Sequence, residues 1–324
     1  MTQLKVATFR KNSPCFAFLA LFAMISLSVG CKKSGRAAAG PKMFASPQDA
    51  GEAIFDAAKA GDSNTLLLIF GPDAKDLLFS GDPVQDKGAL IKFTEDYDRM
   101  HRWRRLKDGA LVLNIGAENY PFPFPLLKNS SGQWQFDSNS AKEEILARRI
   151  GDNELAAIDV LNAMADAQSE YFSQTHDGSQ VHQYAQKFIS DDGKQNGLYW
   201  SITEDQPESP LGPLAAYASS EGYMNKTKSS QPFHGYLYRI LTKQGDQVQE
   251  GVKDYIVDGN MTDGFAIFAY PAEYSVSGVM SFLINQEGTV FEKDLGEKTV
   301  DVAKATTEFN PDGTWAPVGS LAQN

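Results

Sequence analysis

The hydrophobic spacing of this chain changes twice from a helical to a strand period, and that alternation limits the folds open to it. From Ser46 to His101 apolar residues recur at helical spacing: Ala50, Ile54, Ala57 and Ala58, then Leu90, Phe93 and Tyr97, with His101 continuing the row. Ser46-Pro47 is a helix start, with a capping hydroxyl followed by a proline in the first turn. Gly61 is a helix stop, Gly71-Pro72 ends a second short helix, and Gly81-Asp82-Pro83 reads as a loop. At Leu111-Val112-Leu113-Asn114-Ile115 the spacing becomes that of a strand. Phe122-Pro123-Phe124-Pro125 is an edge strand or extended turn, because proline cannot donate to a ladder.

Helical spacing returns over 141–172. It reads as two helices, because Gly151-Asp152 offers a break and Asp152 or Asn153 a new cap. The second helix carries an apolar stripe of Leu155, Ile158, Leu161, Met164, Ala165, Gln168, Tyr171 and Phe172. Residues 190–235, rich in Gly, Pro, Ser and Asp, read as a long ordered loop. Strands follow at 236–241, 265–270, 279–284 and 289–292, with Asn285-Gln286-Glu287-Gly288 as a hairpin turn. Helices and strands segregated in this way predict an α+β protein. The expected organisation is an N-terminal domain of helices plus a small antiparallel sheet over 46–149. A second domain over 150–318, one helix packed on an antiparallel sheet, and a short tail at 319–324 complete it.

Ahead of the first helix lies a segment of a different kind. Lys5, Arg10 and Lys11 precede a hydrophobic run from Cys15 to Val29, the pattern of a secretory signal peptide over 1–30. The run is too short to span a bilayer, which takes about 20 apolar residues. Ser28-Val29-Gly30-Cys31 resembles a bacterial lipobox, with Ser28 where leucine is usual and Leu27 one place earlier. The resemblance implies cleavage before Cys31 and lipidation of that residue. Cleavage without lipidation is the alternative. Lys32, where an aspartate would signal inner-membrane retention, points by the same resemblance to the outer membrane. Residues 31–45, small and basic at their start, read as a flexible tether.

The whole chain carries a formal charge of −11; the first 30 residues hold three basic and no acidic residues, so the mature chain would carry −14. An acidic surface of this kind repels phosphate backbones, and nucleic acid is not an expected partner. Cys15 leaves with the signal and Cys31 takes the lipid, so the mature fold has neither disulfide nor thiol nucleophile.

The stretches Arg148-Arg149-Ile150-Gly151, Asn153-Glu154-Leu155, Ser209-Pro210-Leu211-Gly212-Pro213-Leu214, His234-Gly235-Tyr236 and Lys293-Asp294-Leu295-Gly296 resemble a bacterial lipoprotein family catalogued as domain of unknown function 2950. That resemblance implies no activity. Asn153-Glu154-Leu155-Ala156-Ala157-Ile158 with Tyr171, and the strand runs at 235–240 and 278–290, resemble the globular part of type IV pilins and pseudopilins. The mid-chain helix is amphipathic, unlike the apolar N-terminal spine through which pilins polymerise. The order of elements over 46–137 resembles the cone-shaped domains of the nuclear-transport-factor-like kind.

No G-x-S-x-G elbow, H-E-x-x-H, P-loop or dinucleotide fingerprint occurs in the chain. His176, His182 and His234, with Asp177 or Asp192, match no standard ligand spacing, and neither metal nor cofactor is expected. Glu143, Glu144, Arg148, Arg149, Asp152 and Glu154 make a charge-dense junction, read either as a carboxylate pair for acid–base work or as a solvated helix face. His101-Arg102-Trp103-Arg104-Arg105 reads either as a helix end or as a patch for anionic headgroups or peptidoglycan. Arg148, Arg149, Glu154 and His234 are the candidate functional surface. The expected role is a non-enzymatic binding or assembly module of the cell envelope, held to the membrane through a lipid on Cys31 and facing an envelope protein partner. A periplasmic hydrolase with an unusual site, or a small-ligand carrier with a pocket in the first domain, are the alternatives.

Overall fold

The computed structural model describes residues 40–201, 207–220, 223 and 231–319; the signal peptide, Cys31 and most of the tether lie outside them. The described residues fall in one compact unit. They form an α+β fold, and none of their helices is long and apolar enough to cross a membrane.

Helix α1 (Pro47–Ala60) begins as the sequence dictates. Ser46 and Asp49 exchange side-chain and backbone hydrogen bonds in a capping box, and Gly61 ends the helix in the left-handed conformation, φ 63°. Helices α2 (Ser63–Phe70), α3 (Lys75–Leu78) and α4 (Pro83–Arg99) follow. The chain leaves α4 at Arg99, two residues before the expected continuation at His101. His101–Arg105 is strand β1, fully paired with β2 (Leu111–Ile115). The basic cluster is therefore not a helix end. His101 keeps its apolar neighbour, its ring stacked on Tyr97 with centroids 3.9 Å apart. Trp103 packs against the core, and the other four residues of the strand are exposed. Strands β3 (Tyr120–Pro121), β4 (Leu126–Lys128) and β5 (Trp134–Phe136) complete an antiparallel sheet in the order β1-β2-β4-β5, with β3 on β2.

Helix α5 (Ser138–Phe172) is continuous over 35 residues, capped at its start by Asp137. The expected break at Gly151-Asp152 is absent, and the boundary placed between 149 and 150 falls inside this helix. Glycine in a helix interior costs only about 1 kcal/mol, and packing at both ends of α5 outweighs it. Ala141, Ile145 and Leu146 belong to the core of the N-terminal half, whereas Ala157 to Tyr171 belong to that of the C-terminal half. The buried stripe runs Asn153, Ala157, Val160, Leu161, Met164, Gln168 and Tyr171. Leu155, placed in the core by its spacing, is 66 % exposed, because it lies two positions off that stripe.

The segment expected to be a long loop holds helix α6 (Gly212–Ser220). Strand β6 (Tyr236–Leu241) then enters the second large sheet. Two small pairs, β7 (Lys243–Gln244) with β8 (Lys253–Asp254) and β9 (Ile256–Val257) with β10 (Asn260–Met261), extend from it. The sheet is completed by β11 (Ala266–Pro271), β12 (Met280–Asn285), β13 (Phe291–Asp294) and β14 (Ala316–Pro317), in the antiparallel order β14-β13-β12-β11-β6. All six residues of β11 are buried, since α5 and α7 (Thr299–Ala305) both pack on it. The hairpin between β12 and β13 turns at Gly288, φ 75°, where the sequence places it.

Nothing lies within 4 Å of a Cβ built on Gly151, whose backbone is right-handed like the rest of α5. Gly151→Ala should therefore stabilise the protein, by roughly 0.5–1 kcal/mol in urea unfolding. A loss of stability would restore the two-helix reading.

A candidate binding cavity where helix α5 crosses from one core to the other

Between Phe122, whose N–H donates to the Leu113 carbonyl of β2, and β4, the aromatic-proline segment bulges from the ladder, and this builds the apolar side of a cavity. Phe122 and Phe124 turn inward onto Phe70 of α2, with ring centroids 6.1 and 4.3 Å from it, and Phe122 lies 5.2 Å from Phe93 of α4. Together with Ile54, Leu66, Leu77, Leu90 and Ile145 these rings line a part-open cavity of about 340 Å³. That is about twice the ~150 Å³ void that takes a benzene and sits at the lower end of the roughly 300–1,000 Å³ of small-molecule sites.

One side of the cavity is polar, lined by Ser80, Gln85, Asp86, Arg149 and Asp152. The Ser80 backbone N–H and hydroxyl both donate to Asp86 Oδ1, at 2.8 and 2.7 Å. Burial pushes the Asp86 carboxyl above its ordinary value of 3.8, while the Ser80 hydrogen bonds and the Arg149 charge offset part of the rise. Arg149 reaches from α5 to the end of α3 and donates to the carbonyls of Asp76 and Leu77, each at 2.6 Å. It thereby satisfies carbonyls that the short helix leaves open. Burial pulls its guanidinium below its ordinary value, against the opposing pull of Asp86, Asp76 and Glu273.

Behind this polar side a hydrogen-bond relay joins the two halves. Asn153 is 1 % exposed. Its Oδ1 accepts from Gln85 Nε2 at 2.7 Å, and its Nδ2 donates to the Ser277 carbonyl at 2.8 Å. Asp82, fully buried, caps α4 by accepting from the Val84 and Gln85 N–H groups. Its other oxygen accepts from the Tyr223 hydroxyl at 2.6 Å and the Gly235 N–H at 3.3 Å. A Cβ at Gly235 would lie 2.5 Å from Asn153 Nδ2, and its φ is 72°, so only glycine fits.

The four residues singled out from sequence separate in space. Arg149 lines the cavity. Arg148 points outward, pairs with Glu144 and lies over the Tyr120 ring, its guanidinium 5.4 Å from the centroid. Glu154 Oε1 accepts from the Val279 and Met280 N–H groups at 3.0 and 2.9 Å and so fixes the start of β12. His234 adopts φ 49° and its N–H donates to the Tyr223 hydroxyl at 3.3 Å. The junction thus holds backbone turns in place through Glu154 and brings Arg149 and Asp152 to the cavity. His176 meets the Tyr171 carbonyl and His182 that of Phe172, and no three His, Cys, Asp or Glu among the described residues group as metal ligands. The sequence gives Ser80, Gln85 and Asp86 no site role and reads Asp82 as part of a loop. The one signal for them was Asp82-Pro83, which is a helix start as well as a loop motif.

The folded chain binds a proton at Asp86 more tightly than the unfolded one. The stability this group contributes is present below the ordinary 3.8 and is lost as pH rises through the raised value. Asp86→Asn should therefore unfold at higher urea than the parent at pH 7, with the difference shrinking toward zero at about pH 3.5. A difference independent of pH would contradict this.

Neither a curated protein nor a solved structure matches the chain. The family model described as "Protein of unknown function (DUF2950)" matches residues 41–318, both halves of the fold together with the relay between them, and the chain belongs to that family.

Proposed function

We propose that this protein is a non-enzymatic binding module of the bacterial cell envelope, tethered to the membrane by lipid on Cys31, with the cavity of its N-terminal half as the binding site. The observation that carries the binding role is the cavity itself: a pocket walled by phenylalanines with convergent polar groups on one side. The envelope address is supported by the signal-like N-terminus and by Ser28-Val29-Gly30-Cys31. We read the C-terminal half as a pilin-like scaffold that holds the site rather than polymerising, a reading supported by its helix-on-sheet layering and by the amphipathic character of α5.

Each part of this reading has its own test. Cys31→Ser should leave the membrane fraction or stall in processing, because lipid chains supply about 0.8 kcal/mol per buried CH₂. Unchanged membrane partition of a correctly cleaved variant would sink the anchor. Naphthalene should raise the melting temperature of the purified protein, and Ala89→Trp, placed on the exposed lip of the cavity, should abolish the shift. An identical shift in both proteins would place the binding elsewhere.

A further inference from the structure

The polar side of the cavity carries more acceptors than donors. Asp86 Oδ1 is taken up by Ser80, and no described group donates to Oδ2. Gln85 Oε1 is buried without a hydrogen-bond partner, although its Nε2 is held by Asn153. An unpaired buried carbonyl costs roughly 1–3 kcal/mol, so a donor brought close to it is favoured. Arg149, the one cation among the described residues that line the cavity, is directed at the carbonyls of Asp76 and Leu77, and the carboxylates of Asp86, Asp76 and Glu273 already act on it. An anionic head group would add a further negative charge beside a guanidinium already engaged. A donating head group would meet Asp86 Oδ2 directly, and Gln85 Oε1 after a small side-chain shift.

Resting on the reading of this cavity as the ligand site, we propose that its ligand is an amphiphile with an aromatic or branched apolar body and a hydrogen-bond-donating head, an ammonium or a hydroxyl, bound by the Asp86 carboxylate. The body fills the space between Phe70, Phe93, Phe122 and Phe124. The head stays at the polar side, where Ser80 holds the carboxylate in position. Keeping Asp86 charged there costs the fold stability, as its raised proton affinity indicates. Such a cost at a cavity wall is what a binding group requires and a purely structural residue does not.

Four probes sharing one body separate the terms: naphthalene, 2-(2-naphthyl)ethanol, 2-(2-naphthyl)ethylamine and 2-naphthylacetate, titrated calorimetrically into the purified chain at pH 7 in detergent-free buffer. The amine and the alcohol should each bind at least tenfold tighter than the carboxylate. Asp86→Asn should weaken the amine at least tenfold and leave naphthalene unchanged, and Ala89→Trp should abolish binding of all four. Equal or tighter binding of the carboxylate overturns the proposal, because Arg149 would then be reading the head. So does an amine preference that survives Asp86→Asn. Binding of all four with no head-group preference overturns it while leaving the cavity as the site. Failure of all four to bind removes both readings.

Discussion

Asn153 is the residue on which the arrangement of the two halves depends. It sits near the middle of α5, buried, with its amide oxygen toward α4 and its amide nitrogen toward the turn before β12. A buried amide is costly unless it is paired, so these contacts fix the rotation of α5 about its axis. That rotation in turn decides what each side of the helix meets. Arg149, one turn earlier, comes to lie over the end of α3, and Glu154 comes to lie against the start of β12. Asp82 repeats the arrangement from the other side, capping α4 with one oxygen and holding Gly235 with the other. A helix that broke at Gly151 would uncouple these contacts, and the polar side of the cavity would lose Arg149.

The cavity owes its shape to the same crossing. α4 starts where Asp82 caps it, and this sets the position of Gln85 and Asp86 one turn later. The prolines at 123 and 125, which have no N–H to give the ladder, sit in a bulge between the Phe122–Leu113 and Leu126–Leu111 pairings, and Phe122 and Phe124 close the opposite wall. An apolar interior, one unpaired carboxylate oxygen and an orphaned amide oxygen then meet in one place. Close-packed cores leave few voids of this size, and the polar residues around this one leave hydrogen-bonding capacity unused.

Much of the secondary structure was legible because it rests on local chemistry. Ser46 and Gly61 delimit α1, and Gly288 makes a hairpin turn; each works within a few residues of its own position. Where the reading failed, a long-range contact had outweighed a local preference. Gly151 is helical because cores at both ends hold the helix. His101–Arg105 is a strand because β2 pairs with it along its full length, and Leu155 is exposed because Asn153, not leucine, sets the buried face. Of the candidate site, Arg149 and Asp152 were legible as part of a dense charge cluster. The relay behind them was not, since Gln85 and Asn153 are 68 residues apart and Asp82 and Gly235 are 153 apart. Pairings at such separations leave no periodic trace in a single sequence.

Hydrogen exchange, followed peptide by peptide in the free protein and in the presence of saturating naphthalene, tests most directly the claim that one helix joins both cores and shapes the site. The account predicts that amides around Arg149 and Asn153 exchange only through global unfolding. It also predicts that naphthalene adds protection along α3, the first turns of α4, the 122–124 segment and the middle of α5, and nowhere in the β6–β14 sheet. Local opening of α5 at Gly151 while both cores stay protected, or ligand protection confined to the C-terminal sheet, would contradict it.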